Sequence, residues 1–440
     1  MAFSSENDTV QKTIIATAGS ARFMAGVLMG TSMALYVEDA GGSEFAVSMV
    51  LTAYFLGMMV FSPIWGAIAD VTGRRRAVMI VSGLLGTAAV VPLALVGEAG
   101  PTIALPFLTI DGVWIPIGLR ALYAAFAVGF IPVMLTIVSA RGGPEGRGRS
   151  LGFFNSARAI GFTGGQLVVG VLLGILLPSE MYVVVAAVSL VSVIAAALVY
   201  DPTPTPDGDF TLGEIASEVR HRLLPAVDDR GHLRTNGLRW LYAALALRNM
   251  TVLGTMSLMA IYITGPLGMT EVLMGVILAF NPAGQIVFMY LFGRIADSAG
   301  RKPLIVAGMA GSGLFAVVAA LSAIPSSSIL RILVIAVAFV IIAASFSAMT
   351  TGALAFIGDV APPERESELM GLRSTAKGVG GVLGPPIIGG LATVTSIQLA
   401  VGVASLLSFA AAVLAAVALT ESRPADAGAG QAVGMGSSDD

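Results

Sequence analysis

Apolar blocks of 20 residues or more, each closed by a short polar break, run through this chain, and no other feature limits its possible folds so strongly. A helix of that length, rising 1.5 Å per residue, crosses the roughly 30 Å hydrocarbon core of a bilayer. Composition agrees: of 440 residues, 56% are hydrophobic and 12% charged, and the mean hydropathy is +0.88. A soluble domain carries about a quarter charged residues. With no cysteine there is no disulfide framework, and a net charge of −3 spread over loops is no footprint for an acidic polymer. These features exclude a soluble enzyme, a nucleic-acid binder and a disulfide scaffold. The alternation of a β-barrel is absent, and in lipid only helices and closed barrels satisfy every backbone group.

The apolar blocks predict twelve transmembrane helices, near 13–36, 45–69, 76–97, 116–140, 151–177, 181–200, 238–263, 271–296, 302–324, 330–358, 369–393 and 396–419. The expected fold class is an all-α polytopic membrane protein. The first span is not read as a cleavable signal, because no small-residue cleavage site follows it and a second span comes at once. One set of loops holds Arg74, Arg75, Arg76, Arg141, Arg147, Arg149, Arg220, Arg222, Arg230, Arg234, Arg239, Arg301, Lys302, Arg365 and Arg373. The opposite loops hold Glu38, Asp39, Glu44, Glu98, Asp111, Glu180 and Glu271, with Arg331 their one base. The positive-inside rule then puts both termini in the cytoplasm of a cell-membrane protein.

The longest polar interruption, 201–237, opens on Asp201-Pro202-Thr203-Pro204-Thr205-Pro206, which cannot continue a helix. Thr211-Leu-Gly-Glu214 then has the pattern of a capping box that starts a short amphipathic helix. The expected organisation is a cytoplasmic tail (1–12), a six-helix half (13–200), this linker (201–237), a second six-helix half (238–419) and a disordered cytoplasmic tail (420–440).

The two halves align with each other. Gly66-Ala-Ile-Ala-Asp70-Val-Thr-Gly73-Arg74-Arg75 recurs 227 residues later as Gly293-Arg-Ile-Ala-Asp297-Ser-Ala-Gly300-Arg301-Lys302. Arg22 and Tyr36 match Arg248 and Tyr262 at offset 226. Gly152, Arg158, Gly161 and Gly170 match Gly371, Lys377, Gly380 and Gly389 at offset 219. A duplicated six-helix unit implies a pseudo-two-fold axis with a binding site between the halves near the midplane, the plan of an alternating-access transporter.

On these residues the chain resembles the major facilitator superfamily along about 13–419. That family repeats G-x-x-x-D-[RK]-x-G-[RK]-[RK] between helices 2 and 3, and both copies here match except at Val71 and Ser298. The resemblance implies a latch, with Asp70 against the N-terminus of helix 11 and Asp297 against that of helix 5, where a carboxylate gains from the helix dipole. Gly380-Gly-Val-Leu-Gly384-Pro385-Pro386-Ile-Ile-Gly389-Gly390 is similar to the glycine–proline motif of drug–proton antiporters, and Gly161, Gly164 and Gly165 form a proline-free counterpart in span 5. Small residues also let membrane helices pack closely with no transport role. Arg120 resembles the helix-4 arginine of the same antiporters, although Ala124 stands where they carry glycine.

Arg22, Arg158, Arg248 and Lys377 each lie well inside a span, roughly 12–15 Å from its cytoplasmic end. No acid lies at that depth, and both histidines, His221 and His232, fall in the linker. Intramembrane charges are functional candidates, and a cavity with fixed cations and no counter-ion favours an anionic substrate. The organophosphate branch of the family resembles this arrangement, with one arginine each from helices 1 and 7 on the anion. The other reading, that the bases bind backbone carbonyls or form the cytoplasmic gate, is preferred for Arg158 and Lys377, and anchoring for Arg22 and Arg248. Tyr54, Asn155, Asn249, Asn281 and Gln285 could add neutral hydrogen bonds. The expected function is secondary transport of a small anionic organic molecule by rocker-switch alternating access, with an ion or a second anion as the expected counter-transported species. The alternative is a proton-coupled multidrug or lipid efflux transporter. Neither reading calls for a cofactor, a metal or a nucleic acid, and the fold needs only one chain.

Overall fold

The computed structural model describes residues 8–96, 103–105, 108–204, 210–223, 231–362 and 365–422. The helices are α1 (Asp8–Asp39), α2 (Glu44–Thr72), α3 (Arg75–Val96), α4 (Trp114–Ala127), α5 (Phe130–Leu173), α6 (Pro178–Leu198), the linker helix α7 (Leu212–Leu223), α8 (Leu238–Thr264), α9 (Glu271–Ala299), α10 (Arg301–Leu321), α11 (Ser328–Val360), α12 (Glu366–Val394) and α13 (Ile397–Ala418). A three-residue antiparallel pair, β1 (Ile103–Leu105) and β2 (Leu108–Ile110), ornaments the α3–α4 loop and is the one departure from the all-helical expectation among the described residues.

Eleven stretches are long and apolar enough to cross a membrane. Two of them, Trp114–Gly143 and Gly146–Leu173, share α5, which breaks at Gly143 (φ 61°). The twelfth predicted span is α12, where Pro385, Pro386 and a run of glycines dilute the hydropathy. Prolines inside α2, α3, α9 and α12 are tolerated because neighbouring helices can take up the freed carbonyls. Bare apolar side chains line α6 (Val183, Ile194), α11 (Ile329, Leu333) and α13 (Leu406, Val417). Continuous apolar surface of this kind suits lipid rather than water. The fold is that of a twelve-helix membrane protein.

The helix ends show why the repeat keeps its glycines. Gly73 ends α2 at φ 64° and Gly300 precedes α10 at φ 86°. Gly41 (φ 83°) and Gly268 (φ 66°) make the turns before α2 and α9. Both pairs stand at offset 227, and each needs a left-handed backbone that a side chain would strain.

The chain divides into two compact units. The first comprises Met1–Val227, Met256–Pro282 and Pro385–Ile397. Its core packs Ile15, Phe23, Met79, Phe130, Met134 and Phe154. Within this unit a Cβ at Gly170 of α5 would lie 2.6 Å from the Glu271 carbonyl of α9, and one at Gly389 of α12 would lie 2.7 Å from the Glu44 carbonyl of α2. Glu44 and Glu271 are repeat equivalents, as are Gly170 and Gly389, so one close backbone contact occurs twice. The second unit comprises Asp228–Thr255, Ala283–Gly384 and Gln398–Asp440. Its core is built from Leu241, Leu245, Ile305, Met309, Phe356 and Leu369.

Candidate functional site

The buried cations of the first unit gather around one ring. Arg22 of α1 is 8% exposed, and its Nη1 donates to the Tyr123 hydroxyl of α4 at 3.0 Å. Its guanidinium also stands over the Tyr123 ring, 5.1 Å from the centroid. Arg120, one turn before Tyr123, is 3% exposed. It lies 5.4 Å from the same ring and 5.2 Å from that of Tyr54 on α2. Arg158 of α5, half-buried, stands over Phe23, the neighbour of Arg22. Ring faces attract a cation by their quadrupole but leave its N–H groups without a proper acceptor. Nε and Nη1 of Arg120 have no hydrogen-bond partner.

Arg248 of α8 holds the matching place in the second unit and is 1% exposed. Its Nε donates to Ser312 of α10 at 2.9 Å and its Nη1 to Asn249 at 3.2 Å, while Phe346 of α11 lies 5.5 Å away. Nη2 has no partner. Among the described residues, no carboxylate forms an ion pair with Arg22, Arg120, Arg158 or Arg248, and no cluster of His, Cys, Asp or Glu could hold a metal. Of the other expected residues, Asn249 is buried on Arg248, Asn281 and Gln285 are half-buried on α9, and Asn155 and Lys377 are exposed. Tyr123 and Ser312 are the partners that the sequence reading missed. Tyr123 had a signal, its spacing of three from Arg120; Ser312 had none.

The glycines of spans 5 and 11 are packing surfaces. Gly161 meets the Ser20 backbone of α1, and a Cβ at Gly165 would lie 3.3 Å from Met24 Cα. Gly380 and Gly384 do the same on α8, where their Cβ atoms would lie 2.5 Å from Asn249 Cβ and 2.7 Å from Met250 Cα. Gly380 thereby backs the residue that orients Arg248.

At the repeated loops, the Asp70 carboxylate accepts from Arg75 at 3.2 Å and from Arg222 of α7 at 2.9 Å. Arg222 also donates to Glu218 at 2.7 Å and covers Gly66, where a Cβ would lie 2.8 Å from its Nη1. Burial works against the Arg222 charge, but the hydrogen bonds to Glu218 and Asp70 outweigh it and its pKa is raised. The linker helix opens on its capping box, with Glu214 N donating to Thr211 Oγ1 at 3.2 Å and Thr211 N to Glu214 at 2.8 Å. In the second copy, Arg301 pairs with Asp359 at 3.0 Å, and the amides of Arg301 and Lys302 donate to Glu421 at 2.9 and 3.0 Å. The side chain of Asp297 lies outside the described residues, as do residues 423–440 of the expected tail.

The chain belongs to the Major Facilitator Superfamily, whose family model matches residues 15–281 and 241–434. Solved structures give the same fold. A bacterial homolog of the human lysosomal transporter Spinster, in an inward-facing and occupied conformation, is 14% identical with a TM-score of 0.72, covering 94% of this chain and 97% of that one. A POT family transporter in complex with 5-aminolevulinic acid is 12% identical (TM-score 0.71, 92% and 95%). A mutant of the nucleoside transporter NupG is 12% identical (TM-score 0.68, 93% and 99%). No curated protein matches the chain by sequence. Family and fold define a membrane transporter of small molecules rather than an enzyme.

Proposed function

We propose that the protein is a secondary transporter of a small organic anion in the cell membrane, with both termini cytoplasmic, working as a monomer by rocker-switch alternating access. The supporting observation is Arg248, 1% exposed with Nη2 unpartnered and no carboxylate beside it. Arg22 matches it in the first half, so each half offers one buried arginine as an anion anchor. A buried cation is costly unless paired, and guanidinium forks suit carboxylate or phosphate oxygens. Lack of an acid at that depth disfavours a lipophilic cation as cargo and favours anion exchange, or a substrate that carries its own proton. Asn249, Tyr54, Asn281 and Gln285 supply neutral contacts, Arg158 and Lys377 belong to the gate rather than the anchor, and Asp70 and Asp297 set the latch.

Counterflow in proteoliposomes tests this. Preloaded organic anions should drive uptake of labelled anion, and Arg22→Ala or Arg248→Ala should abolish it. Proton-driven movement of lipophilic cations that ignores both substitutions would replace this reading with the efflux alternative.

A further inference from the structure

We infer that Arg120 takes the anion beside Arg22 in the first unit, and that the group it takes is the carboxylate of an acid with an apolar, ring-bearing body. The inference rests on the anion reading above and sharpens it. The Tyr123 hydroxyl already serves Arg22. Arg120 is left with two ring faces and with Nε and Nη1 unpartnered at 3% exposure. Burying donors of a charged group without acceptors is costly. The neighbouring Arg22, whose guanidinium lies 5.1 Å from the centroid of the same Tyr123 ring, adds a like charge that an anion would offset. The walls of the place are the Tyr54 and Tyr123 rings, which favour a flat apolar body. Gly30 of α1 adjoins the guanidinium, since a Cβ there would lie 3.4 Å from Arg120 Nη2.

The repeat sets Arg120 apart. Arg22 and Arg158 have basic counterparts in the second half at fixed offsets, whereas α11 carries no Lys or Arg between Ile332 and Val360. A residue kept only to hold the duplicated scaffold has no reason to differ between the halves. One that grips an asymmetric substrate does.

The test uses the full-length protein in detergent, with benzoate as probe and benzamide and inorganic phosphate as comparisons, read as the shift in thermal midpoint and the Kd by calorimetry. Benzoate should stabilise the wild type and benzamide should not. Arg120→Met should weaken benzoate about tenfold to a hundredfold, the loss expected for hydrogen bonds to a charged group. Should Arg120→Met fail to fold, Gly30→Asp gives the answer with the arginine in place. Its carboxylate would satisfy Arg120 from within, raising the ligand-free midpoint and removing the benzoate response. If benzoate binding survives both substitutions and disappears in Arg22→Ala or Arg248→Ala, the assignment to Arg120 is overturned while the anion reading stands. If phosphate binds and benzoate does not, the carboxylate class is overturned. If no anion stabilises the wild type, both readings fall.

Discussion

Gly384 of α12 rests directly on the backbone of Met250 of α8, and the same contact recurs as Gly165 of α5 on Met24 of α1. Met24 and Met250 are repeat equivalents at offset 226, Gly165 and Gly384 at offset 219. Two separately numbered offsets therefore meet in one contact, which is what a duplicated helix pair with unchanged packing requires. In lipid, where apolar burial alone does not drive helices together, such small-residue contacts carry association through close van der Waals approach.

The two copies differ in tightness, and that separates their mutants. A Cβ at Gly384 would strike the Met250 carbonyl oxygen, which is backbone and cannot move aside. At Gly165 the nearest atoms would be the Val27 side chain at 3.0 Å and Met24 Cα at 3.3 Å. Gly384→Ala should destabilise by about 1–3 kcal/mol as overpacking, and Gly165→Ala by under about 1 kcal/mol. Thermal midpoints of the two purified variants in detergent check this; equal losses would contradict it.

Much of this architecture was legible because repeat offsets and apolar runs encode helices and their pairing. The Gly41–Gly268 pair could also have been read, since it stands at the same offset as Asp70–Asp297. The surroundings of the buried arginines were less accessible. Ser312 and Phe346 reach Arg248 from α10 and α11, and in helices apolar on every face the sequence does not specify which way each turns about its axis. Arg222 read only as a marker of the inner side, and Glu421 only as tail. Neither position carries a local pattern that reveals a partner more than a hundred residues away.

Ser312, with Asn249, aims Arg248. Its hydroxyl accepts from Arg248 Nε at 2.9 Å and donates to the Gly308 carbonyl at 2.7 Å. Ser312→Ala removes the acceptor and leaves a second nitrogen of a buried guanidinium unpartnered, beside Nη2. The expected cost is about 1–3 kcal/mol. An anion that binds Arg248 should recover part of this loss, so the midpoint shift on adding ligand should be larger in Ser312→Ala than in wild type. An unchanged ligand-free midpoint would show that Ser312 does not carry the arginine.

Glu421 caps α10 from the far end of its own half. Its two carboxylate oxygens accept from the amides of Arg301 and Lys302, the first residues of the helix, and Gly300 gives the approach its room. A carboxylate at a helix N-terminus meets both free amides and the positive end of the dipole. Glu421→Ala should cost about 1 kcal/mol and raise hydrogen exchange in the first turn of α10. Glu421→Gln keeps an acceptor and should fall between. Exchange at Arg301 and Lys302 that is the same in all three proteins would rule the cap out.

The linker helix is held by charge rather than by a core. None of the residues of α7 is buried. Its charged attachments include Arg222 on Asp70 and, just before the helix, Phe210 under Arg74 at 5.5 Å. A partly exposed ion pair contributes about 0.2–1 kcal/mol, so Arg222→Ala should leave the thermal midpoint nearly unmoved. It should nonetheless loosen the helix, because the side chains that remain against α2, Ile215 and Val219, are only half-buried. Hydrogen exchange across 212–223 is expected to rise several-fold in the variant. In the wild type, 1 M salt, with a screening length of about 3 Å, should raise exchange in the same segment, and it should add little once Arg222 is gone. Exchange in α7 that responds to neither change would mean the helix is anchored by something other than the Asp70 pair.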